Sequence, residues 1–221
     1  MIFLSHPLSS KTPGYGGKQG FSSEPATCMS CGDSSNSQKW TLSNHIGTHI
    51  DCPKHFSENG KTIDQYTAAE WIFKDVFLVN RAASNGEIIG VDDWCDSIPS
   101  TCDLLLLRTG FEAYRNANAY WQSNPGIHPD LASWLRVNRP NIRAIGMDFI
   151  SVTSYENRPL GRLAHKALLD LQSGPGNPIL AIEDMKLSEV FETPKIVIVS
   201  PIIVENADGG PVTVLGLNSK V

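Results

Sequence analysis

Segments typical of strands and segments typical of helices alternate along the whole of this 221-residue chain. Short runs of β-branched and aromatic residues recur, and amphipathic helical segments stand between several of them. No repeat, low-complexity tract or separating linker interrupts this alternation. We therefore predict an α/β fold, a single compact domain over residues 1–221 with a central mixed β-structure flanked by helices. A chain of this length can bury a sizeable core but is short for two domains.

The first forty residues predict a long loop rather than regular structure. The segments TPGYGGKQG and CGDSSNSQKW are dense in turn-forming residues. A loop of that length inside a compact domain is usually functional or mobile. The loop contains three aromatic residues, Tyr15, Phe21 and Trp40. Their side chains could either line a pocket or simply anchor the loop to the core.

The middle of the chain predicts short elements. Thr67–Glu70 is a capping box and predicts the start of a short helix, and Gly90–Trp94 indicates another helix start. Asp75–Val79 is a β-branched and aromatic run typical of a strand. Leu104–Leu107 is a continuous apolar run that favours a buried strand, and it leads into a loop at Arg108–Gly110.

The last hundred residues alternate helices and strands. Pro129 suits the first turn of a helix reaching about Val137, and its apolar residues recur at helical spacing on one face. A further helix is predicted at Arg158–Leu171, and strands are predicted at Ile142–Phe149, Ile179–Ile182, Lys195–Val204 and Thr213–Leu217. Pro201 indicates a bend or an edge position within the strongest of these strands.

Composition excludes several classes of partner. Eighteen basic against twenty-three acidic residues give a net charge of −5, and no basic cluster appears, so nucleic-acid binding is not expected. The opening residues lack the features of a signal peptide, and no apolar run suggests a membrane span. Five cysteines argue against a secreted disulfide framework, and we expect a cytoplasmic protein. Cys28 and Cys31 form a C-x-x-C pair, read either as unpaired loop thiols or as part of a structural metal site.

The chemistry concentrates in Ser43–His55, which reads SNHIGTHIDCPKH and holds three of the six histidines. If His49 and Asp51 lie on an extended segment, both side chains point to one face. Gly47 permits a turn that brings His45 back towards them. A lone histidine is most often structural, but this grouping predicts two imidazoles and a carboxylate on a metal, with His55 close by.

The eleven residues HIGTHIDCPKH resemble the signature H-x-G-T-H-x-D-x-P-x-H of the cyclase-like metal-dependent hydrolases, the family that includes bacterial kynurenine formamidase and isatin hydrolase. Further segments resemble that family along nearly the whole chain. These are Leu4–Leu8 as an opening strand, Leu105–Gly110, Ile145–Asp148, His165–Leu169 and Ile182–Glu183.

The resemblance implies a set of roles. His45, His49 and Asp51 would bind a first divalent metal ion, which Asp51 would share with a second. His165 would bind the second ion, and Glu183 would contact both. His55 would be the general acid/base, a role that suits imidazole. Tyr15 matches the aromatic position that contacts substrate. The resemblance also implies one or two Zn or Mn ions, a small-molecule substrate and a homo-oligomer, a dimer or tetramer.

The leading hypothesis is a metal-dependent hydrolase of a small amide, either an arylformamide such as N-formylkynurenine or a cyclic amide such as isatin. Thr12–Lys18 departs from the first-loop pattern of the family, T-P-x-W-P-G-D, so a lactone, a carbamate or another small carbonyl compound is the alternative substrate. A non-catalytic metal-binding protein would explain the ligands but would leave His55 without a task. The absence of a G-x-S-x-G motif argues against a serine hydrolase.

Overall fold

A computed structural model describes residues 1–218, and over this range the chain forms thirteen β-strands and three α-helices, joined by loops and short 3-10 turns. The strands are β1 (Ile2–Phe3), β2 (Phe21–Thr27), β3 (Ser37–Leu42), β4 (His49–Asp51), β5 (Ile72–Phe73), β6 (Val76–Asn80), β7 (Ile88–Ile89), β8 (Leu104–Arg108), β9 (Gly126–Ile127), β10 (Ala144–Met147), β11 (Leu180–Glu183), β12 (Ile196–Pro201) and β13 (Gly209–Leu217). The helices are α1 (Ala119–Gln122), α2 (Pro129–Asn138) and α3 (Arg158–Leu169).

A mixed nine-stranded sheet runs through the molecule, which confirms the predicted α/β fold class. Its order is β5-β12-β13-β4-β11-β10-β8-β6, with β1 paired to β13. Strands β6, β8, β10 and β11 are parallel to one another, whereas β4, β13, β12 and β5 pair antiparallel. Strand β4 pairs antiparallel with both β11 and β13. It therefore lies where the parallel half of the sheet meets the antiparallel half.

The sheet separates two hydrophobic cores. Leu105 and Leu107 of β8 face the core that also contains the apolar sides of α2 and α3. Leu104 and Leu106 face the opposite core, which contains residues of β11, β12 and β13. Because all four leucines are fully buried, β8 reads as an unbroken apolar run, as strands covered on both faces do. Each such leucine stabilises the fold by roughly 1.5–3 kcal/mol.

The long loop predicted for the first forty residues is wrong in part, because β2 and β3 form an antiparallel hairpin there. Hydrogen bonds between facing polar side chains support it, such as the 2.7 Å pair Thr27 Oγ1 and Ser37 Oγ. Most of its residues are exposed, so no apolar alternation marks the strands in the sequence. Cys28 and Cys31 lie in the turn at its tip, and both are free thiols.

Several element ends differ from the predicted ones. The capping box at Thr67 is present, but it opens a single 3-10 turn rather than an α-helix. Helix α3 ends at Leu169, because the Asp170 carboxylate accepts a hydrogen bond from the Gln172 amide and starts a separate turn. Strand β12 ends at Pro201, where pairing with β13 stops. Within residues 1–218, none of the helices has the length and apolar character that crossing a membrane requires.

Candidate metal centre and active-site cavity

The register around β4 places three of the predicted metal ligands together. In the antiparallel pairing with β11, His49 lies directly opposite Glu183. Facing residues of an antiparallel pair project to the same side of a sheet, so these two side chains meet. Asp51 is two residues beyond His49 and shares its face, as the sequence predicted. On its other side β4 pairs with β13, where Asp51 faces Gly209.

Two glycines make room for His45 beside this strand. Gly47 has a φ of +63°, a left-handed conformation that glycine adopts without strain, and it turns the chain between His45 and His49. A Cβ atom on Gly209 would lie 3.1 Å from Cε1 of His45 and would collide with the backbone carbonyl of Ile50. Gly209 therefore leaves the space that the His45 ring occupies.

His165 reaches the same site from helix α3. Its Nδ1 donates to the carbonyl oxygen of Gly161, at 3.1 Å, and lies 2.9 Å from Oγ1 of Thr153. A Cβ atom on Gly161 would lie only 2.5 Å from Cγ2 of Thr153. The absence of that atom lets α3 approach the segment after β10 closely enough for both contacts. The ring is thereby oriented with Nε2 towards Asp51 and Glu183.

The four innermost side chains form a tight ring of acids and imidazoles. Nε2 of His49 lies 3.4 Å from Asp51 Oδ1 and 3.3 Å from Glu183 Oε2. Nε2 of His165 lies 3.5 Å from Asp51 Oδ2 and 3.3 Å from Glu183 Oε1. Each carboxylate thus presents one oxygen to each imidazole. All four residues are buried.

This donor set fits a divalent cation. His49 Nδ1 donates to the carbonyl of Gly47 at 2.8 Å, just as His165 Nδ1 donates to Gly161. Metal-binding histidines characteristically use one ring nitrogen in this way and offer the other to the metal. Imidazole nitrogen with carboxylate oxygen suits Zn or Mn. His49, Asp51 and Glu183 have ligand atoms within 4.8 Å of one another, and so do His45, Asp51 and His55.

His45 and His55 form an outer group around Asp208. His45 Nδ1 lies 2.8 Å from Asp51 Oδ1, and its Nε2 lies 3.0 Å from Asp208 Oδ2. The same Asp208 oxygen lies 2.7 Å from His55 Nδ1. The other oxygen of Asp208 accepts a hydrogen bond of 2.6 Å from the Asn44 side chain. The side chain of His55 is 27% exposed, against 5% for His165.

The electrostatics of the site reflect these acidic neighbours. Burial alone lowers the pKa of a histidine, but hydrogen bonds with Asp208 and Asp51 raise the pKa of His45 to about 10. In the same way, Asp51 and Glu183 outweigh burial and raise the pKa of His165 to about 9. Burial and the charge of Asp51 oppose ionisation of Glu183, yet the facing histidines lower its pKa to about 2. The acids are thus ionised and create a field that favours a cation.

A cavity of about 350 Å³ opens onto this cluster. The ring of Phe56 stacks on His165, with centroids 4.7 Å apart and an interplanar angle of 14°. Tyr15 also lines the cavity, together with Arg158 and Arg162. The pocket therefore has an acidic, histidine-rich floor and a wall that carries aromatic and basic side chains.

The structure places every sequence-predicted site residue at this one cavity: His45, His49, Asp51, His55, His165, Glu183 and Tyr15. Their individual roles stay predictions. Asp208, which holds both His45 and His55, was missed. It stands alone before Gly209-Gly210, so nothing in the local sequence marks it, and only the pairing of β13 with β4 brings it to the site.

Comparison with known proteins identifies the family. The Cyclase family model, described as "Putative cyclase", matches residues 2–154. The chain belongs to this family. The matched part of the Cyclase family model includes the histidine motif but ends before His165. A curated kynurenine formamidase of Bacillus thuringiensis subsp. konkukian (strain 97-27) extends the similarity, with 30% identity over 211 residues that cover 96% of this chain and 94% of that protein.

Solved structures share the Cyclase fold of this chain. Isatin hydrolase A from Labrenzia aggregata, bound to benzyl benzoate, matches with a TM-score of 0.78 and 20% identity, covering 96% of this chain and 91% of that one. A "potential metal-dependent hydrolase with cyclase activity" matches with a TM-score of 0.75 and 20% identity, covering 100% and 98%. At such identities these likenesses show the fold.

Proposed function

We propose that this protein is a metal-dependent hydrolase of small amides, acting on C–N bonds other than peptide bonds. The observation that carries the proposal is the convergence of five predicted ligands and one partly exposed histidine, His55, on a single small cavity. The kynurenine formamidase relative and the isatin hydrolase neighbour act on amides by name, so an arylformamide such as N-formylkynurenine or a cyclic amide such as isatin is the proposed substrate.

His45, His49, Asp51, His165 and Glu183 would hold one or two divalent ions, either Zn or Mn. Bound there, such an ion would lower the pKa of water towards neutrality and polarise the scissile carbonyl. Asp51 and Glu183 each present both oxygens to the cluster, so each carboxylate could serve two ions. The backbone carbonyls that fix His49 and His165 keep both imidazoles in the tautomer that a metal requires.

His55 would move the proton. Its Nδ1 is held by Asp208, which leaves Nε2 to take a proton from water and to deliver it to the leaving nitrogen. The partial exposure of His55, 27%, suits a group that must meet substrate. The buried His49 and His165 suit ligands, whereas His45, at 23%, is nearly as exposed as His55, so its assignment rests on the motif. Tyr15 would contact the substrate from the first loop.

The alternative substrate is a lactone, a carbamate or another small carbonyl compound. The observation in its favour is the Thr12–Lys18 segment, which departs from the family pattern and carries Tyr15 into the cavity wall. A non-catalytic metal-binding protein is a weaker candidate, because it gives the His55–Asp208 pair no task. The homo-oligomer, the single-domain organisation and the cytoplasmic location stay predictions.

A hydrolysis panel tests the proposal. Protein loaded with Zn or with Mn is assayed against N-formylkynurenine, isatin, a lactone and a carbamate. We expect turnover of at least one amide, its loss on chelation and its return when the same ion is restored. Turnover of the lactone or carbamate alone would favour the alternative substrate class. Turnover that persists after complete removal of metal, or no turnover with either ion, would contradict the proposal.

A further inference from the structure

Arg158 and Arg162 are unlike the other arginines of the chain. Six of its eight arginines donate hydrogen bonds to protein oxygens: Arg81, Arg108, Arg115, Arg136, Arg139 and Arg143. Within residues 1–218, neither the Arg158 nor the Arg162 guanidinium group has a hydrogen bond or an ion pair with a protein group, and both side chains are exposed. Both line the cavity that holds the candidate metal centre. They stand four residues apart on α3, so they lie on one face of the helix.

Tyr15 presents an unsatisfied donor to the same cavity. Its hydroxyl oxygen is buried and has no hydrogen-bond partner among the described residues, although buried polar atoms nearly always have one. Burial raises the pKa of Tyr15 to about 12, against the opposing charges of Arg158 and Arg162, so the hydroxyl keeps its proton. The Tyr15 ring is fixed edge-on against Tyr155 at 5.6 Å, and the Arg158 guanidinium lies 4.0 Å from the Tyr155 ring centroid.

Arg158 and Arg162 are exposed, so water can solvate them, but one negatively charged acceptor would satisfy both guanidinium groups and the buried Tyr15 hydroxyl together. A guanidinium has donors and no acceptor, and two of them side by side repel each other unless an anion lies between them. The two carboxylates that line the cavity, Asp51 and Glu183, are engaged by the histidines of the metal centre. A carboxylate on the ligand would give the buried Tyr15 hydroxyl an acceptor and replace the water around both guanidinium groups, and carboxylate geometry matches the guanidinium fork.

We propose that Tyr15, Arg158 and Arg162 form a subsite for a carboxylate group on the substrate. This inference rests on the proposed amide hydrolysis, and it narrows the substrate to an amide that also carries a carboxylate. A neutral cyclic amide has no anionic group to offer the two guanidinium groups, which would stay solvated by water, so it would gain no charge-assisted hydrogen bond here. The cavity volume of about 350 Å³ suits a compact aromatic amide of this kind.

Matched substrates test the subsite. Formanilide is compared with 2-, 3- and 4-formamidobenzoate, which differ from it only by one ring carboxylate. Both kcat/KM and the Kd from calorimetry are measured on the metal-loaded protein. We expect at least one isomer to exceed formanilide by about 10- to 100-fold in kcat/KM, and to bind correspondingly tighter, as charge-assisted hydrogen bonds predict.

Substitutions of the three subsite residues test whether they bind the substrate carboxylate. R158Q and R162Q should each lower the ratio of kcat/KM between the preferred isomer and formanilide by about tenfold or more, chiefly through KM. Y15F should lower it by a smaller factor. Lys166→Gln is the matched control, because Lys166 is an exposed cation on the same helix that does not line the cavity. It removes the same charge and should leave the ratio unchanged.

The outcomes separate the subsite from the reaction. If every compound is hydrolysed without preference for a carboxylate, the subsite is overturned while amide hydrolysis stands. A preference that survives both arginine variants also overturns it, because the carboxylate then binds elsewhere. If no compound is hydrolysed but calorimetry shows the preference and its dependence on Arg158 and Arg162, the subsite stands and amide hydrolysis is contradicted. No preference in binding and no hydrolysis would overturn both.

Discussion

At the scale of single residues, the carboxylate of Asp208 joins His55 to His45. One carboxylate oxygen lies 2.7 Å from His55 Nδ1 and 3.0 Å from His45 Nε2. The pKa of Asp208 lies well below its usual range because both histidines hydrogen-bond to it. An ionised acid that touches Nδ1 fixes the ring orientation and leaves Nε2 of His55, a residue that lines the cavity, available for a proton. We therefore propose that Asp208 is a positioning residue and that His55 is the group that meets substrate.

Single and double substitutions of His55 and Asp208 test these two proposed roles. We expect His55→Ala to lower kcat by about 10²- to 10⁴-fold, the usual contribution of a general acid/base. Asp208→Asn should lower kcat by about 10- to 100-fold, as the loss of an orienting partner does. Because Asp208 acts through His55, the second change should have little further effect in a His55→Ala background. Steady-state kinetics of the three variants, normalised to bound metal, provide the measurement.

Measuring bound metal shows whether Asp208→Asn acts by misorienting His55 or by releasing the metal ion. Asp208 also contacts His45, a proposed ligand, so Asp208→Asn could act by releasing metal. Asn44→Ala offers a milder control, since Asn44 contacts only the other oxygen of Asp208. Additive effects of His55→Ala and Asp208→Asn at full metal occupancy would refute the positioning role.

At the scale of elements, Gly161 controls how α3 presents His165. Its carbonyl oxygen accepts the Nδ1–H hydrogen bond, and its missing side chain lets the helix lie against Thr153. Two effects compete when this glycine is replaced. Alanine is favoured over glycine within a helix by about 0.8–1.0 kcal/mol. Overpacking costs about 1–3 kcal/mol, and here the added atom would lie 2.6 Å from the backbone Cα of Thr153, which cannot swing aside.

We therefore expect Gly161→Ala to lower the free energy of unfolding by up to about 2 kcal/mol, because the gain in helix propensity offsets only part of the overpacking cost. It should also weaken metal binding, since His165 shifts with the helix. Urea unfolding and metal titration measure the two effects. Gly174→Ala is the control, because a Cβ atom there would have no neighbour within 4 Å. An equal or greater stability for Gly161→Ala would refute this role of the glycine.

Only part of the fold and of the candidate site could be predicted from the sequence. The grouping of His45, His49 and Asp51 could be predicted because all three residues lie within one turn and one short strand, so their spacing along the chain determines their geometry. His165 sits on the buried side of an amphipathic helix, where a structural histidine is the default, and only the family resemblance marked it. The hairpin β2–β3 was missed because its exposed strands carry no apolar alternation. Asp208 and the two cavity arginines depend on tertiary placement, which no local pattern records.

At the scale of the whole molecule, the order of strands in the sheet brings the residues of the candidate site together. Strand β4 lies between β11 and β13, so it joins Glu183 on one side to the segment of Asp208 on the other. His165 arrives from a helix that packs on the parallel half of the sheet. Residues separated by more than a hundred positions therefore meet only when the mixed sheet is complete. A cation that binds them all would bind the folded state and not the unfolded chain.

Metal should consequently stabilise the entire fold. At a free ion concentration about 100 times the Kd, a ligand specific for the folded state raises the free energy of unfolding by about 2.7 kcal/mol. Without metal, the buried carboxylates of Asp51 and Glu183 are balanced only by imidazoles. We expect chelation to lower the urea midpoint, and restored Zn or Mn to return it, with the denaturant dependence unchanged. Equilibrium urea unfolding at several ion concentrations measures this shift.

The metal-dependent shift of the urea midpoint, measured in two variants, shows which histidines bind the metal. His49→Ala removes a buried predicted ligand and should abolish most of the metal-dependent stabilisation. His55→Ala removes a histidine that, together with His45 and Asp51, could also form a metal-binding group. If His55 is the acid/base, its variant should keep the metal-dependent shift while losing turnover, because substrate chemistry and fold stability then depend on different residues. Loss of the shift in His55→Ala would instead make His55 a ligand, and the proton would need another carrier.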